Sequence, residues 1–451
     1  MAPYQVLVVD DSAFMRKIIS DLIESDSSFR VAGTARNGIE AVEKISSLKP
    51  DLVTMDVEMP DMNGLDALKM IMKKHPLPVI MLSGINEQGM RETIMALELG
   101  AFDFIRKPSV SSTLDIKQVG EALLEQLHAA IDARERKAAR EAALQQMKVI
   151  HTAPSGPKMI DLLDLHKPEV TTAKNKPLQS AAKKEQAALN HHSAQEARTQ
   201  IAKAKEAPKK KEARQDTSRR AKSVLERKDL KPISKTKQLP SATAATMATK
   251  HAGNIERSAE FTQLVAIGCS TGGPKALKTL LEQFPASFPA PIVIVQHMPP
   301  NFTKSLAQRL NTFSQLEVVE AEDGMILRKG TAYIAPGGYH LTVAQAAGGH
   351  FVASLSQSAP RNGHCPSVDT MFESLLPLQS LKRHVVLLTG MGSDGARVMK
   401  QLYDAGVHST FAESEETCVV YGMPRSAVEL HCVEHILPLH EIAPKLVQVV
   451  K

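Results

Sequence analysis

The sequence predicts an α/β protein built from a five-stranded doubly wound domain, a long basic linker and a second α/β domain. Short continuous apolar runs alternate with helical-period stretches from Gln5 to about Leu127, and the same alternation resumes at Phe261. Between Phe104 and Phe261 there is no Phe, Tyr or Trp. Uninterrupted apolar strands separated by helices are what a parallel sheet buried on both faces requires. A chain of 451 residues also exceeds one ordinary core, so two domains with connecting sequence are expected.

In the first domain, residues 4–127, the strand runs are Val6 to Val9, Val31 to Gly33, Leu52 to Met55, Val79 to Leu82 and Phe102 to Ile105. Its last helix is expected to run past Leu127, because Ala, Arg, Glu and Gln dominate as far as Gln146 and all favour helix. Residues 148–258 read as a disordered basic linker. They hold about twice as many Lys and Arg as Asp and Glu, with prolines at 154, 157, 168, 177, 208, 232 and 240, and cannot bury enough apolar area to offset chain entropy. As a flexible coil the linker would span roughly 55 to 60 Å, so docking of the two domains must come from their own surfaces. Limited trypsin treatment is therefore expected to cut first between Lys148 and Arg257 and to leave two resistant fragments; a protected, cooperatively folded segment seen by hydrogen exchange would contradict this.

The third part, residues 259–451, has strand runs Leu264 to Ile267, Ile292 to Val295, Val318 to Val319, Tyr333 to Ala335, Val385 to Leu388 and Thr410 to Ala412. Helices are expected near 274–284, 302–313, 367–377, 395–405 and 437–448. An antiparallel excursion is expected at 331–356, where three strand-like runs follow one another with no helix between. No apolar stretch approaches the ~18 residues of a membrane span, and the N-terminus has no basic leader, so a cytoplasmic location is expected. Cys269, Cys365, Cys418 and Cys432 lack CxxC spacing and are read as free thiols.

Asp10 and Asp11 end the first strand and Asp56 ends the third, so three carboxylates gather in the crevice at the carboxyl edge of the sheet. Such a cluster calls for a hard divalent ion such as Mg²⁺. Ser83 and Lys107 end the fourth and fifth strands, adding a hydroxyl and an ammonium, and together these parts can take up a phosphoryl group as an aspartyl phosphate. The domain closely resembles a two-component receiver, through Asp10-Asp11, Met55-Asp56-Val-Glu-Met-Pro-Asp-Met-Asn-Gly64, Ser83-Gly84 and Lys107-Pro108. The resemblance implies that Asp56 is the phosphoacceptor and that Asp11, Asp56 and the Glu58 carbonyl hold Mg²⁺, with Asp10 acting through water. It also puts Ser83 and Phe104 at the positions that move on phosphorylation. The competing reading makes the strand-end aspartates helix N-caps.

In the second domain Val265-Ala-Ile-Gly-Cys-Ser-Thr-Gly-Gly-Pro274 stops a strand at Ser270 and turns through glycines into a helix. Gly268-Cys-Ser-Thr-Gly272 fits a nucleophile elbow. Glycine-rich turns also cradle phosphates, but no third glycine of a dinucleotide fingerprint and no Gly-Lys-Ser/Thr follows. His297, after Ile292-Val-Ile-Val-Gln296, is the candidate base, and Asp394, after the run Val385 to Ser393, the candidate orienter. The order Ser, His, Asp differs from that of α/β-hydrolases, which would need His431, His435 or His440 as base, none of which follows a clear strand end. Cys269 is the alternative nucleophile.

The stretch from Val265 onward resembles the catalytic domain of the chemotaxis protein-glutamate methylesterases. The residues that carry the likeness are Ile267-Gly-Cys-Ser-Thr-Gly-Gly-Pro274, Val295-Gln-His-Met-Pro299, Ile334-Ala-Pro-Gly-Gly338, Ser367-Val-Asp369 and Leu388-Thr-Gly-Met-Gly-Ser-Asp-Gly395. By that likeness this is a serine hydrolase with Ser270 as nucleophile, His297 as base and acid and Asp394 as orienter, and Met391 is a candidate oxyanion donor through its N–H. The implied substrate is the γ-glutamyl methyl ester of chemoreceptors, with glutamine deamidation as a second activity and a chemotaxis histidine kinase as phosphodonor. No cofactor is expected in this domain. The linker is longer than the short tether usual in that family. Competing functions are a different ester or amide substrate, and a receiver-driven regulator binding nucleic acid through the linker; the lack of linker aromatics and of helix-turn-helix spacing argues against the latter.

Overall fold

A computed structural model describes residues 2–84, 86–108, 113–152 and 258–451. Met1–Ala153 and Ala252–Lys451 form one compact unit, while the second unit, Pro154–His251, lies outside the described residues, as does nearly all of the expected linker.

The first domain runs β1 (Tyr4–Val9), α1 (Ala13–Glu24), β2 (Phe29–Ala35), α2 (Gly38–Leu48), β3 (Leu52–Asp56), α3 (Gly64–Lys74), β4 (Val79–Ser83), α4 (Glu87–Leu99), β5 (Asp103–Arg106) and α5 (Thr113–Thr152). Its sheet order is β2-β1-β3-β4-β5 with every pairing parallel. The order in which strands are added reverses between β1 and β3, which opens a crevice at their carboxyl ends. Polar side chains start the helices: Ser12, Asn37, Asn63 and Asn86 accept hydrogen bonds from first-turn N–H groups of α1 to α4. The caps are therefore Ser and Asn, and Asp10, Asp11 and Asp56 are left for other work. As the composition implied, α5 extends well beyond Leu127, and it reaches Thr152, inside the segment expected to be linker.

The second domain runs β6 (Gln263–Cys269), α6 (Gly273–Leu281), β7 (Ile292–Gln296), α7 (Phe302–Asn311), β8 (Glu317–Glu320), β9 (Thr331–Ile334), β10 (His340–Gln345), β11 (Phe351–Ser356), α8 (Val368–Glu373), β12 (Lys382–Leu387), α9 (Ala396–Asp404), β13 (Ser409–Glu413), α10 (Met423–Glu429), β14 (His435–Leu437) and α11 (Leu439–Val449). Seven strands form a parallel sheet ordered β14-β13-β12-β6-β7-β9-β8, and β6, between the two wings, is fully buried. The expected antiparallel excursion is only half right. β9 pairs in parallel with β7 and β8 in the main sheet, and the antiparallel element is the separate hairpin β10–β11. Two elements went unread, α10 and β14. The three-residue β14 is too short to carry a periodicity signal, and its discovery changes one reading, since His440 does follow a strand end. The His440 side chain is exposed, however, and lies beside Glu441 on the surface.

α4 packs against α6 and α7, so the two domains share an apolar core cluster. Polar and aromatic contacts join them as well. Arg309 donates to both carboxylate oxygens of Glu98 (3.0 Å from Nε to Oε1 and from Nη2 to Oε2), and Phe104 stacks on Phe302 with centroids 4.6 Å apart. Thr271 donates a hydrogen bond to Asp103, and Arg140 donates to the Glu415 carbonyl at 2.9 Å. Such an aromatic pair is worth about 0.5 to 1.5 kcal/mol beyond its burial, and the forked Arg–carboxylate geometry fixes orientation as well as adding energy.

Candidate functional site

In the first domain the carboxyl edge of the sheet gathers the residues that strand order demands. Ligand oxygens of Asp10, Asp11 and Asp56 lie within 4.8 Å of one another. Asp10 and Asp56 are buried, and the Lys107 ammonium reaches both, at 2.8 and 2.7 Å. Burial pushes the Asp56 carboxyl up to about 6 against the pull of Lys107. Burial works against the Lys107 charge too, but its bonds to Asp10 and Asp56 prevail and hold the ammonium above its ordinary range. Three clustered carboxylates, one of them Asp56 with its ionisation opposed by burial, fit a divalent ion such as Mg²⁺. The Glu58 side chain turns away to accept from Asn86 Nδ2 (2.7 Å), which leaves only its main chain for such a role. Ser83 is buried at the end of β4, where the Thr93 hydroxyl donates to it at 2.7 Å. Phe104 stacks against the second domain.

In the second domain the β-register does the assembling. Cys269 pairs with Gln296, so Ser270 and His297, the residues that follow, leave the sheet side by side, and His297 N–H donates to the Cys269 carbonyl at 3.2 Å. Leu387 pairs with Gly268, which brings the loop after β12 to the other side of Ser270, and the Ser270 N–H donates to the Thr389 carbonyl at 3.0 Å. Ser270 thus stands at the point where strand order reverses between β12 and β7. Gly390 permits the approach: a Cβ there would sit 2.9 Å from the Ser270 Cβ and 2.4 Å from the Met423 sulfur.

His297 Nε2 lies 2.9 Å from Asp394 Oδ2, and the two side chains are 6 % and 2 % exposed. The other ring nitrogen, Nδ1, is buried with no partner among the described residues, so it is the atom left to take a proton. Asp394 accepts further bonds from the N–H groups of Val368 (2.7 Å) and Asp369 (3.2 Å), the Ser367 hydroxyl (3.0 Å) and the Asn362 amide (2.8 Å). Burial alone would raise its pKa, but the bonds from His297, Asn362 and Val368 overcome that and hold the carboxyl well below its usual range. Asp394 also serves a helix start, though not that of the helix that follows it. Gly395 is the N-cap of α9, whereas Asp394 serves the first N–H groups of α8, and Asp369 returns the arrangement by accepting from Gly395 N–H at 2.9 Å.

Cys269 fails as a nucleophile. It is fully buried, its thiol donates toward Gln296 Oε1 at 3.1 Å, and burial pushes its pKa far above the ordinary thiol range. All four cysteines are free. Met391 is half-buried in the loop that flanks Ser270, and its N–H has no protein acceptor among the described residues. His364 and Glu413 are among the residues that escaped the sequence reading. The His364 ring lies flat on His297, with centroids 3.7 Å apart and planes 10° from parallel, and burial pushes it down to about 4, so it stays neutral beside the candidate base. Glu413, at the end of β13, is fully buried and accepts from the Thr389 N–H at 2.8 Å, bracing the loop that holds Ser270. A histidine in the irregular 358–366 loop carries no sequence signal, whereas Glu413 had one that went unused: like Asp56, it is a carboxylate that stops an apolar strand run.

Residues 265–446 match the family model for CheB methylesterase, and residues 6–117 match the model for the response regulator receiver domain. The protein-glutamate methylesterase/protein-glutamine glutaminase of Geobacillus kaustophilus is 39 % identical over 450 residues, covering 100 % of this chain and 99 % of that one. Its namesake in Bacillus subtilis is 36 % identical over 447 residues, covering 99 % and 98 %. Among solved structures, the CheB methylesterase catalytic domain of Thermotoga maritima is 44 % identical, covering 42 % of this chain and 98 % of that one, with a TM-score of 0.40. Among the described residues no helix is long and apolar enough to cross a membrane.

Proposed function

The chain belongs to the CheB methylesterase family, hydrolases of chemotaxis, and carries a receiver domain ahead of the catalytic one; from that premise we propose that Ser270, His297 and Asp394 hydrolyse γ-glutamyl methyl esters of chemoreceptors under the control of Asp56. The observation that carries the reading is the His297–Asp394 pair at the strand ends flanking Ser270, with Nδ1 buried and unpaired. The Ser270 oxygen attacks the ester carbonyl as His297 Nδ1 takes its proton. Asp394, held ionised by five hydrogen bonds, stabilises the imidazolium. The Met391 N–H is the proposed donor to the tetrahedral oxyanion. Collapse breaks the bond to the methoxy oxygen, which leaves as methanol with the His297 proton. Water then attacks the acyl-enzyme, gives a proton to His297, and frees a glutamate carboxylate as Ser270 regains its own. With a glutamine side chain the leaving group is ammonia, so deamidation uses the same steps.

In the receiver, Asp10, Asp11 and Asp56, with the Glu58 carbonyl, would hold Mg²⁺, which supplies charge neutralisation for phosphoryl transfer. Asp56 is the proposed acceptor, a histidine kinase the donor and the cytoplasm the site of action. Control follows from what the receiver touches. Asp103 bonds Thr271, next in sequence to the nucleophile, and Phe104, on the same strand, rests on Phe302. A phosphoryl group that draws Ser83 and Phe104 inward would loosen both contacts and uncover Ser270.

The Asp103 contact also makes docking sensitive to pH. Burial pushes this carboxyl up to about 6, against bonds from Thr271, Phe104 N–H and Gln126. An acid whose pKa is raised in the docked state favours docking while it is protonated. The Thr271 bond favours the ionised form but burial outweighs it, so the contribution is present at low pH and is lost as pH rises through about 6. Hydrogen exchange around residues 98–106 and 271–281, corrected for intrinsic rates, should accelerate between pH 5 and pH 7.5 in the parent and much less in Asp103→Asn. Equal pH responses would remove Asp103 from the account. The activity itself is tested by methanol release from methylated receptor, taken up in the Discussion.

A further inference from the structure

We propose that Gln296 is a positioning residue that ties the nucleophile's backbone to that of the base; the proposal rests on the triad reading above. Gln296 is the last residue of β7 and is 2 % exposed. Its amide nitrogen donates to the carbonyl of Ser270 and to the carbonyl of His297, each at 3.1 Å. Its amide oxygen accepts from the Cys269 thiol at 3.1 Å, which fixes which way round the amide sits. One side chain thus spans the two strand ends that carry the reacting groups.

The bridge explains a motif that the elbow reading left over. Gly268-Cys-Ser-Thr-Gly272 satisfies an elbow, but the glycine after it, Gly273, serves no elbow role. A Cβ at Gly273 would fall 1.9 Å from Gln296 Oε1 and 3.1 Å from the Cys269 sulfur. Any larger residue would drive the amide off both carbonyls. Gly273 N–H in turn donates to the Ser270 carbonyl at 2.7 Å, so that oxygen is held from two directions.

The bridge acts on the separation of nucleophile and base. Ser270 and His297 follow the ends of different strands, and the His297 ring is fixed by Asp394, so backbone spacing decides whether Oγ and Nδ1 can meet. A misplacement of about 1 Å in a reacting pair costs on the order of 10²-fold in rate. Gln296 touches neither substrate nor the reacting atoms, and its loss should appear in turnover and not in binding.

The test compares Gln296→Met, Gln296→Glu and Val295→Ala in the full chain, by methanol release from methyl-esterified receptor, thermal melting, and the downfield proton resonance of the His297–Asp394 hydrogen bond. Methionine matches the length of glutamine but cannot donate. Gln296→Met should lower kcat roughly 30- to 100-fold with KM within about twofold. Val295→Ala opens a cavity on the same strand, and should lower the melting temperature while leaving kcat within about threefold. Gln296→Glu can donate one O–H when neutral, so its kcat relative to the parent should rise as pH falls from about 8 to 6. A kcat in Gln296→Met within twofold of the parent, or a loss matched by Val295→Ala, overturns the proposal. If Gln296→Met does not fold, Gln296→Glu decides, and a ratio flat with pH overturns it. If the parent releases no methanol, the substrate reading fails on its own account and the resonance decides: a shift in Gln296→Met absent from Val295→Ala supports the bridge, and an unchanged resonance refutes it.

Discussion

Ser270→Ala is expected to cut methanol release by about 10⁴-fold or more while leaving the melting temperature near that of the parent. The hydroxyl is the proposed site of the acyl-enzyme, and the one nearby competitor, Cys269, is buried, engaged with Gln296 and pushed far from thiolate formation. The serine turn is held through its main chain, by Thr389, Gly273 and Gln296, so removing the oxygen leaves that scaffold intact. His297→Ala should be comparably severe. Asp394→Ala should be milder in turnover per folded molecule but costly in stability, because it strands donors from Ser367, Val368, Asp369 and Asn362, and a buried unpaired donor costs about 1 to 3 kcal/mol. Kinetics and melting curves on the three variants separate the roles. Near-parental release by Ser270→Ala, or abolition by Cys269→Ala instead, would end the assignment.

Asp56→Asn is expected to keep the low basal rate and lose all response to Mg²⁺ with an acyl phosphate. In the parent that response should be an increase of about 5- to 150-fold, the ordinary range of coupling between two sites. Docking is sustained by the Glu98–Arg309 fork, the Phe104–Phe302 stack and the Asp103–Thr271 bond. Phosphorylation can shift docking only by changing the relative stability of docked and open arrangements. Asparagine preserves the shape of Asp56 but cannot be phosphorylated, so the equilibrium stays where it was. A parental response in Asp56→Asn would place the phosphoacceptor elsewhere, and no response in the parent would remove phosphorylation from the account.

Much of this was legible in the residues, for definite reasons. Continuous apolar runs such as Ile292 to Val295 declare a doubly buried strand, and polar residues that stop such runs must lie at the sheet edge. The strand-end positions of Asp56, Ser270 and His297 are legible that way. Asp394 was harder, since a turn containing Gly390 and Gly392 separates it from its strand, and its position follows from the α8 N–H groups it serves. β10 and β11 were visible as strands, but their antiparallel pairing away from the main sheet was not, because a strand's run does not say which neighbour it takes. His364 and Gln296 stayed hidden for a different reason. A lone histidine in a loop and a glutamine at a strand end are ordinary residues until folding sets one flat on His297 and hangs the other between two carbonyls. Contacts such as Glu98 with Arg309 join residues 211 positions apart, beyond any local pattern.

The most direct measurement is volatile methanol released from methyl-labelled receptor, with Mg²⁺ and an acyl phosphate, by the parent and by Ser270→Ala. The account predicts a release that climbs when the acyl phosphate is added to the parent and stays at background with Ser270→Ala under either condition. Background release from the parent, or equal release from both proteins, would contradict it.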